Sequence, residues 1–204
     1  MPTAEANPYR VDRLHALTPR LDESLTELVE RFAALGRRAV IVGPHGSGKT
    51  TLLEALAPQL GAVTWLRLRR DAVHNRSVLR ALPPRITGTL LLDGLEQLGP
   101  LGWWQVRRRA SAILATSHRR GRLPLLRRQS TSPALLAELV RDLGEAPPDD
   151  LISLFARQHG DVRACLRELY DRQARLPAAP AASAAATAAS ASATASEAPS
   201  AAGR

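Results

Sequence analysis

The chain has 204 residues, of which 45% are hydrophobic, and this is enough to build one domain with a buried core. Its one cysteine, Cys165, excludes an internal disulfide framework, and its five histidines are spaced too widely to indicate a zinc site. We find neither an apolar run that could cross a membrane nor a hydrophobic signal segment in residues 1–20, so we expect a cytoplasmic protein without a membrane span. The net charge of +9 favours anionic partners.

The N-terminal part of the sequence predicts an extended arm followed by a helix. Residues 1–20 have little periodicity, and they include the segment Asn7-Pro8-Tyr9. Apolar residues then recur at helical spacing from Leu21 to Leu35, with acidic residues early in the segment and Gly36 at its end. We therefore place the arm at residues 1–20 and begin the first folded domain, residues 21–131, with this helix.

The most specific motif is G-x-x-x-x-G-K-[ST], which residues 43–50 match at every defined position. Residues 37–42 before it predict a short buried strand, and residues 51–57 after it predict a helix. A glycine loop at the start of a helix offers backbone N–H groups and the positive end of the helix dipole to phosphate oxygens. The predicted nucleotide-binding residues are Gly43, Pro44, His45, Gly46, Ser47, Gly48, Lys49, Thr50 and Thr51.

Two residues of this glycine loop have distinct predicted roles. Lys49 is expected to lie along the β- and γ-phosphates, and the Thr50 hydroxyl is expected to ligate Mg²⁺. Lys49 is the only lysine among the 28 basic residues, which indicates a role that a planar guanidinium does not fill. The chain has no N-K-x-D stretch, the feature that would favour guanine. We therefore expect ATP and Mg²⁺ as the ligands.

A second diagnostic stretch follows a predicted strand at residues 63–68 and a predicted helix at residues 69–82. Residues 89–92 are uncharged and mostly apolar, and they end at Asp93, which predicts a buried parallel strand that delivers a carboxylate at its C-terminal end. Asp93 is then expected to hold Mg²⁺ together with Thr50. The alternative is that Asp93 is a turn residue ahead of Gly94.

Three further residues are candidates for acting on the γ-phosphate or on its attacking water. In many ATPases that carry this glycine loop, a glutamate directly follows the aspartate, whereas here Gly94 occupies that position. If the chain turns into a helix at Gly94, Glu96 can reach the attacking water. The alternative is that Glu96 is a solvated helix residue. After a predicted helix at residues 100–109, a strand at residues 110–117 ends in Thr116 and Ser117, which either face the γ-phosphate or are ordinary strand-end residues.

The C-terminal third of the sequence is predicted to be helical. A basic loop, residues 118–124, and a fifth strand, residues 125–130, close the first domain. Helices are then predicted at residues 132–143, at residues 149–159 and from Gly160 onward, and together residues 132–176 form a small domain that we call the lid. Residues 177–204 are almost wholly Ala, Ser, Thr and Pro, a composition that predicts a disordered tail.

The glycine loop, the strand ending at Asp93, the strand ending at Thr116-Ser117 and the segment Gly160-Asp161-Val162-Arg163 together resemble P-loop NTPases of the AAA+ type. The resemblance implies a three-layer α/β/α fold with a parallel sheet of about five strands, in which an extra strand separates the glycine-loop strand from the aspartate strand. It also implies that Arg163 contacts the γ-phosphate and that Asn7-Pro8-Tyr9 lies near the adenine. The alternative for Arg163 is an ion pair with a local carboxylate.

The chain also departs from the AAA+ pattern. The glutamate expected after Asp93 is absent, the lid is short, and the segment between the fourth and fifth strands is too short for a helix that carries an arginine finger. The arginines that remain as candidates to act in trans are Arg119, Arg120 and Arg122.

The sequence favours an ATP-binding protein that hydrolyses ATP slowly and uses the nucleotide state to move the lid or to assemble with copies of itself or other proteins. A nucleotide-dependent switch without useful turnover is the alternative, because of Gly94. A small-molecule phosphotransferase would need an acceptor pocket with a base, and no second constellation supplies one.

Nucleic acid is a further predicted partner. No acidic residue lies between Glu96 and Glu138, and this window is rich in arginine. The alternative is that arginine serves solubility. The residues proposed to contact nucleic acid are Arg107, Arg108, Arg109, Arg119, Arg120 and Arg122.

Overall fold

The computed structural model describes residues 7–9 and 22–175. In this part the chain forms five strands and seven α-helices, with short 3₁₀ turns at Ala57–Leu60 and Leu95–Gln97. The elements in chain order are α1 (Leu25–Ala34), β1 (Arg38–Val42), α2 (Lys49–Leu56), β2 (Val63–Arg67), α3 (Ala72–Ala81), β3 (Ile86–Asp93), α4 (Pro100–Arg109), β4 (Ala110–Ser117), β5 (Leu125–Arg128), α5 (Pro133–Asp142), α6 (Leu151–Arg157) and α7 (Val162–Arg175).

All five strands are parallel, and their order in the sheet is β2-β3-β4-β1-β5. Strand β4 therefore separates β1, which leads into the glycine loop, from β3, which ends at Asp93. The register pairs Val42 with Ser117 and Leu92 with Ala115, so the three strands end at the same edge of the sheet. The predicted α/β fold with a five-stranded parallel sheet is confirmed.

Helices cover both faces of the sheet. Alternate residues of the central strands point to opposite faces, and because both faces are covered these strands are apolar almost throughout. One face packs against α1 and α2, with Phe32 and Leu52 in its core, and the other packs against α3 and α4, with Leu82 and Val106 in its core. This arrangement gives the three layers that the resemblance implied.

Helices α5–α7 share a third apolar cluster, which includes Leu136, Leu154 and Cys165. Tyr9 is buried in the same cluster, and the side chain of Asn7 donates a hydrogen bond to the carbonyl of Tyr170 at 3.0 Å. Burial among these helices, with a smaller contribution from Glu145, raises the pKa of Tyr9. The segment that the resemblance placed near the adenine is thus anchored on the C-terminal helices.

Two predicted segments fall largely or wholly outside the described residues. Only residues 7–9 of the predicted arm, residues 1–20, are described, and the predicted tail, residues 177–204, lies outside the described part. Within residues 7–9 and 22–175, no helix is both long enough and apolar enough to cross a membrane.

Candidate functional site

The glycine loop connects β1 to α2 at the C-terminal edge of the sheet. The amide of Gly43 donates to the carbonyl of Ser117 at 3.2 Å, so the start of the loop is fixed to the end of β4. Helix α2 begins at Lys49 with Gly48 as its N-cap, and Gly48 has a positive φ of 77°. The first backbone N–H groups of this helix lack intrahelical acceptors and are available to an anion.

Lys49 lies within the loop, with 9% of its surface exposed. Its ammonium donates to the carbonyls of Gly43 at 2.9 Å and Pro44 at 2.5 Å. Burial lowers the pKa of Lys49, and the carboxylates of Glu96, Asp93 and Asp161 oppose this effect. The loop thus holds one buried cation among carbonyl oxygens, with three carboxylates near enough to affect its titration.

Asp93 is joined to two hydroxyl groups at the same edge. Its carboxylate accepts from Oγ1 of Thr50 at 3.1 Å and from Oγ1 of Thr116 at 2.5 Å. The hydroxyl of Thr116 also accepts from the amide of Gly94 at 3.0 Å, which fixes its position. A carboxylate beside a hydroxyl is a set of hard oxygen donors that fits Mg²⁺, so Thr50 and Asp93 are suitable ligands for this ion.

The two strand-end residues of β4 have different surroundings. Thr116 is 1% exposed and contacts Asp93, whereas Ser117 is 5% exposed and its hydroxyl accepts from the amide of Arg119 at 3.3 Å. Because successive residues of a strand point to opposite faces, only one of the two can lie beside Asp93. Tertiary structure therefore distinguishes two residues that the sequence left equivalent.

Glu96 lies in the 3₁₀ turn Leu95–Gln97 that directly follows β3 and Gly94. Its side chain is 28% exposed, and Oε1 is 3.2 Å from Nε2 of His118. The other ring nitrogen of His118, Nδ1, is 3.2 Å from the carbonyl oxygen of Gly43. The rings of His118 and His45 have their centroids 3.8 Å apart. Glu96 is thus connected to the glycine loop and is not a freely solvated helix residue.

Sequence reasoning assigned no function to His118. It is remote in the chain from both Gly43 and Glu96, and it lies in the segment for which the sequence predicts a basic loop. Its place directly after a predicted strand with a polar end was the one available signal. Only the parallel pairing of β4 with β1 and β3 brings the three residues together.

The N-terminus of α7 lies against the glycine loop. A Cβ atom placed on Gly46 would be 2.1 Å from Oδ1 of Asp161 and 2.9 Å from the amide nitrogen of Val162. Oδ1 of Asp161 also accepts from the amide of Ala164 at 3.0 Å and so caps the helix. The side chain of Arg163 is exposed, and among residues 7–9 and 22–175 it forms no ion pair.

The predicted arginine window does not form one continuous patch. Arg107–Arg109 precede β4 and Arg119–Arg122 follow it, so the two groups lie at opposite edges of the sheet, separated by an eight-residue strand that spans about 26 Å. The guanidinium of Arg108 lies 4.9 Å from the ring centroid of Trp104, and two further arginines donate hydrogen bonds to backbone carbonyls. The guanidinium of Arg109 donates to the carbonyls of Leu79 and Leu82, and that of Arg122 donates to the carbonyl of Leu98.

Comparison with known proteins adds little beyond this geometry. No protein-family model matches the sequence, and no curated protein does. Among solved structures, the chain is similar to one from "Structure of Drosophila ORC bound to DNA", with 18% sequence identity and a TM-score of 0.39. The alignment covers 85% of this chain, which spans 63% of that one. A likeness at this level carries no argument about function, so the function is inferred from the residues of the site.

Proposed function

We propose that this chain binds ATP and Mg²⁺ at the glycine loop and hydrolyses ATP slowly, using the nucleotide state to control the position of the lid or assembly with itself or other proteins. One observation carries the proposal. A complete phosphate-binding motif at the start of α2 lies at the same sheet edge as Asp93, whose carboxylate contacts Thr50 of that motif.

Each residue then has a role that follows from its charge and place. The N–H groups at the start of α2 bind phosphate oxygens, and the ammonium of Lys49 neutralises charge on the β- and γ-phosphates. Thr50 and Asp93 hold Mg²⁺, which supplies electrostatic stabilisation to the transferring phosphoryl group when bound. Thr116 keeps the carboxylate of Asp93 oriented, and Ser117 holds the start of the loop through its carbonyl. Glu96 accepts the proton of the attacking water. Arg163 contacts the γ-phosphate and thereby couples its presence to the position of the lid.

Contact between Gly46 and the start of α7 supports the coupling of nucleotide to lid. The loop and the helix touch at Asp161 and Val162, so a movement of either one requires the other to adjust. The exposed guanidinium of Arg163 lies one residue further along the same helix and has no partner within the described part of the chain. As far as residues 7–9 and 22–175 are concerned, it is available to bind an anion at the loop.

Glu96→Gln is expected to lower phosphate release from Mg·ATP on the order of 100-fold, because an amide cannot accept the proton of water. ATP affinity should remain within a few-fold of wild type, since Glu96 is not a predicted ligand of the phosphates. The measurement is steady-state phosphate release together with ATP binding by calorimetry, for wild type, Glu96→Gln and Lys49→Ala. Glu30→Gln on the exposed side of α1 is the matched control. Unchanged turnover in Glu96→Gln would remove Glu96 from the mechanism.

A nucleotide-dependent switch without turnover is the second candidate. It is favoured by Gly94 at the position directly after Asp93, and by the engagement of Glu96 with His118. In that case phosphate release equals that of Lys49→Ala under every condition, while calorimetry still detects ATP binding that Lys49→Ala removes.

Nucleic-acid binding is a separate part of the proposal, and it rests on arginines whose side chains are exposed. Replacing both Arg119 and Arg120 with alanine should weaken binding to a short DNA duplex. It should also make the negative slope of log K for binding against log salt concentration less steep by about 2, since each lost phosphate contact changes the slope by about 0.9. These two residues are exposed and follow His118 at the edge that carries the glycine loop.

Arg107→Ala with Arg108→Ala is the matched comparison, because it removes the same charge at the opposite edge of the sheet. A loss confined to Arg119 and Arg120 supports a DNA interface at the nucleotide edge. A loss confined to Arg107 and Arg108 would place the interface elsewhere, and no loss in either variant contradicts nucleic-acid binding through this window.

A further inference from the structure

His118 contacts two parts of the site that are otherwise separate. Its Nδ1 atom is 3.2 Å from the carbonyl oxygen of Gly43, and its Nε2 atom is 3.2 Å from Oε1 of Glu96. The ring also lies against that of His45, so it has neighbours on both its edges and on one face. One imidazole at the end of β4 therefore joins the glycine loop to the turn that follows β3.

Both ring nitrogens face oxygen acceptors. A carbonyl and a carboxylate accept hydrogen bonds, and a neutral imidazole has one N–H to donate. Burial and the charge of Lys49, with a smaller contribution from His45, lower the pKa of His118, while Glu96 and the carbonyl of Gly43 oppose them. Near neutral pH the ring therefore donates to one oxygen at a time, and it donates to both when it is protonated.

Glu96 depends on this contact for its orientation. It lies in a three-residue turn, and in the described part of the chain His118 is the side chain with which its carboxylate pairs. A glutamate has three rotatable bonds, so without a partner its carboxylate samples many positions. A donor from His118 to Oε1 restricts that sampling, and no other residue of the described part forms an ion pair or hydrogen bond with Oε2, which can accept from a water molecule.

We propose that His118 is a positioning residue that orients the carboxylate of Glu96 and transmits to it the conformation of the glycine loop at Gly43. This role rests on the proposed function, in which Glu96 accepts the proton of the attacking water. A change at the Gly43 carbonyl when phosphates enter the loop moves the imidazole, and the imidazole moves Glu96.

The two nitrogens of His118 can be tested separately. Glutamine places an amide nitrogen near the position of Nε2 and keeps a donor for Glu96, whereas asparagine places one near Nδ1 and keeps a donor for Gly43. We expect His118→Ala and His118→Asn to lower kcat for ATP on the order of 10-fold, with the Kd for ATP changed less than about 3-fold. His118→Gln should retain most of the activity. His74→Gln, at a partly exposed histidine on α3, is the matched control.

Two further measurements separate positioning from a merely structural role. In the Glu96→Gln background, His118→Ala should have no further effect on kcat, because the residue that it orients is already inactive. Wild-type kcat should fall as the pH falls through the pKa of His118, which burial and Lys49 hold below the usual imidazole value, since an imidazolium beside Glu96 makes its carboxylate a weaker base. His118→Gln should lack this acid limb. Equal losses in the Gln and Ala variants, or an unchanged acid limb, would overturn the proposal.

The pairing itself is testable without turnover. Imidazole ¹⁵N chemical shifts followed against pH give the pKa of His118, assigned by its absence in His118→Gln. Because Glu96 raises the pKa of His118, Glu96→Gln should shift that pKa downward. An unchanged pKa would overturn the proposal even if the protein hydrolyses ATP. A downward shift in a protein that never hydrolyses ATP would establish the pair and remove the proposed ATPase activity instead.

Discussion

Lys49→Ala is expected to weaken ATP binding at least about 30-fold, which corresponds to ~2 kcal/mol, because it removes the one buried cation of the glycine loop. The ammonium of Lys49 donates to the carbonyls of Gly43 and Pro44, so it lies within the loop that we propose to bind the triphosphate. Lys49→Arg should also bind poorly, since a planar guanidinium does not fit a position that is 9% exposed. Calorimetry with Mg·ATP measures both variants.

The control for Lys49→Ala is Arg70→Ala, which removes a positive charge from an exposed position on the chain. It should leave ATP affinity unchanged. A far-UV circular dichroism spectrum and a melting curve establish that Lys49→Ala is folded. Wild-type affinity in a folded Lys49→Ala protein would contradict the nucleotide-binding role of the glycine loop, and with it the whole functional proposal.

Gly46→Ala is expected to destabilise the protein by about 2–4 kcal/mol, well beyond the effect of Gly48→Ala. Both glycines have positive φ values, 67° and 77°, so each substitution carries a backbone penalty of about 1 kcal/mol. The added Cβ at Gly48 meets nothing within 4 Å, whereas at Gly46 it would be 2.1 Å from Oδ1 of Asp161. The difference between the two variants therefore measures the contact between the loop and α7. Urea denaturation gives both values.

Cys165 reports the same contact independently. It is the only cysteine, it is buried in the cluster formed by α5–α7, and burial raises the pKa of its thiol to about 11. A displaced α7 in Gly46→Ala should expose the thiol and speed its reaction with a thiol reagent, while Gly48→Ala should react at the wild-type rate. Equal stabilities and equal thiol rates in the two variants would show that the loop and α7 are not in firm contact.

Patterns within single segments of the sequence predicted several helices and strands of the fold. Helix α4 and strand β4 have the predicted bounds, because Pro100 starts one and a run of apolar residues defines the other. Strand β3 begins earlier than predicted, at Ile86, since a shift in its pairing with β4 between Ile86 and Thr89 lets Gly88 continue the strand. Such a shift in register depends on the neighbouring strand, which the sequence pattern of one segment does not reveal.

Some parts of the candidate site are also recognisable from the sequence, whereas others depend on contacts between distant segments. The glycine loop and Asp93 are recognisable from the sequence because each is a short segment whose chemistry depends on adjacent residues. The hydrogen bond of Thr116 to Asp93, the contact of Gly46 with Asp161 and the bridge of His118 between Gly43 and Glu96 join residues that are remote in the chain.

The glycine loop and the strand that ends in an aspartate are recognisable from the sequence alone, because each pattern lies within one short segment. The parallel α/β class followed from the resemblance that these motifs support. The three-dimensional structure was needed to show which strand-end hydroxyl lies beside Asp93, and to show that the arginine window divides between two edges of the sheet. It also decided that Glu96 has a histidine partner. The physical reason is the strand order, because inserting β4 between β1 and β3 brings together side chains whose proximity no local pattern encodes.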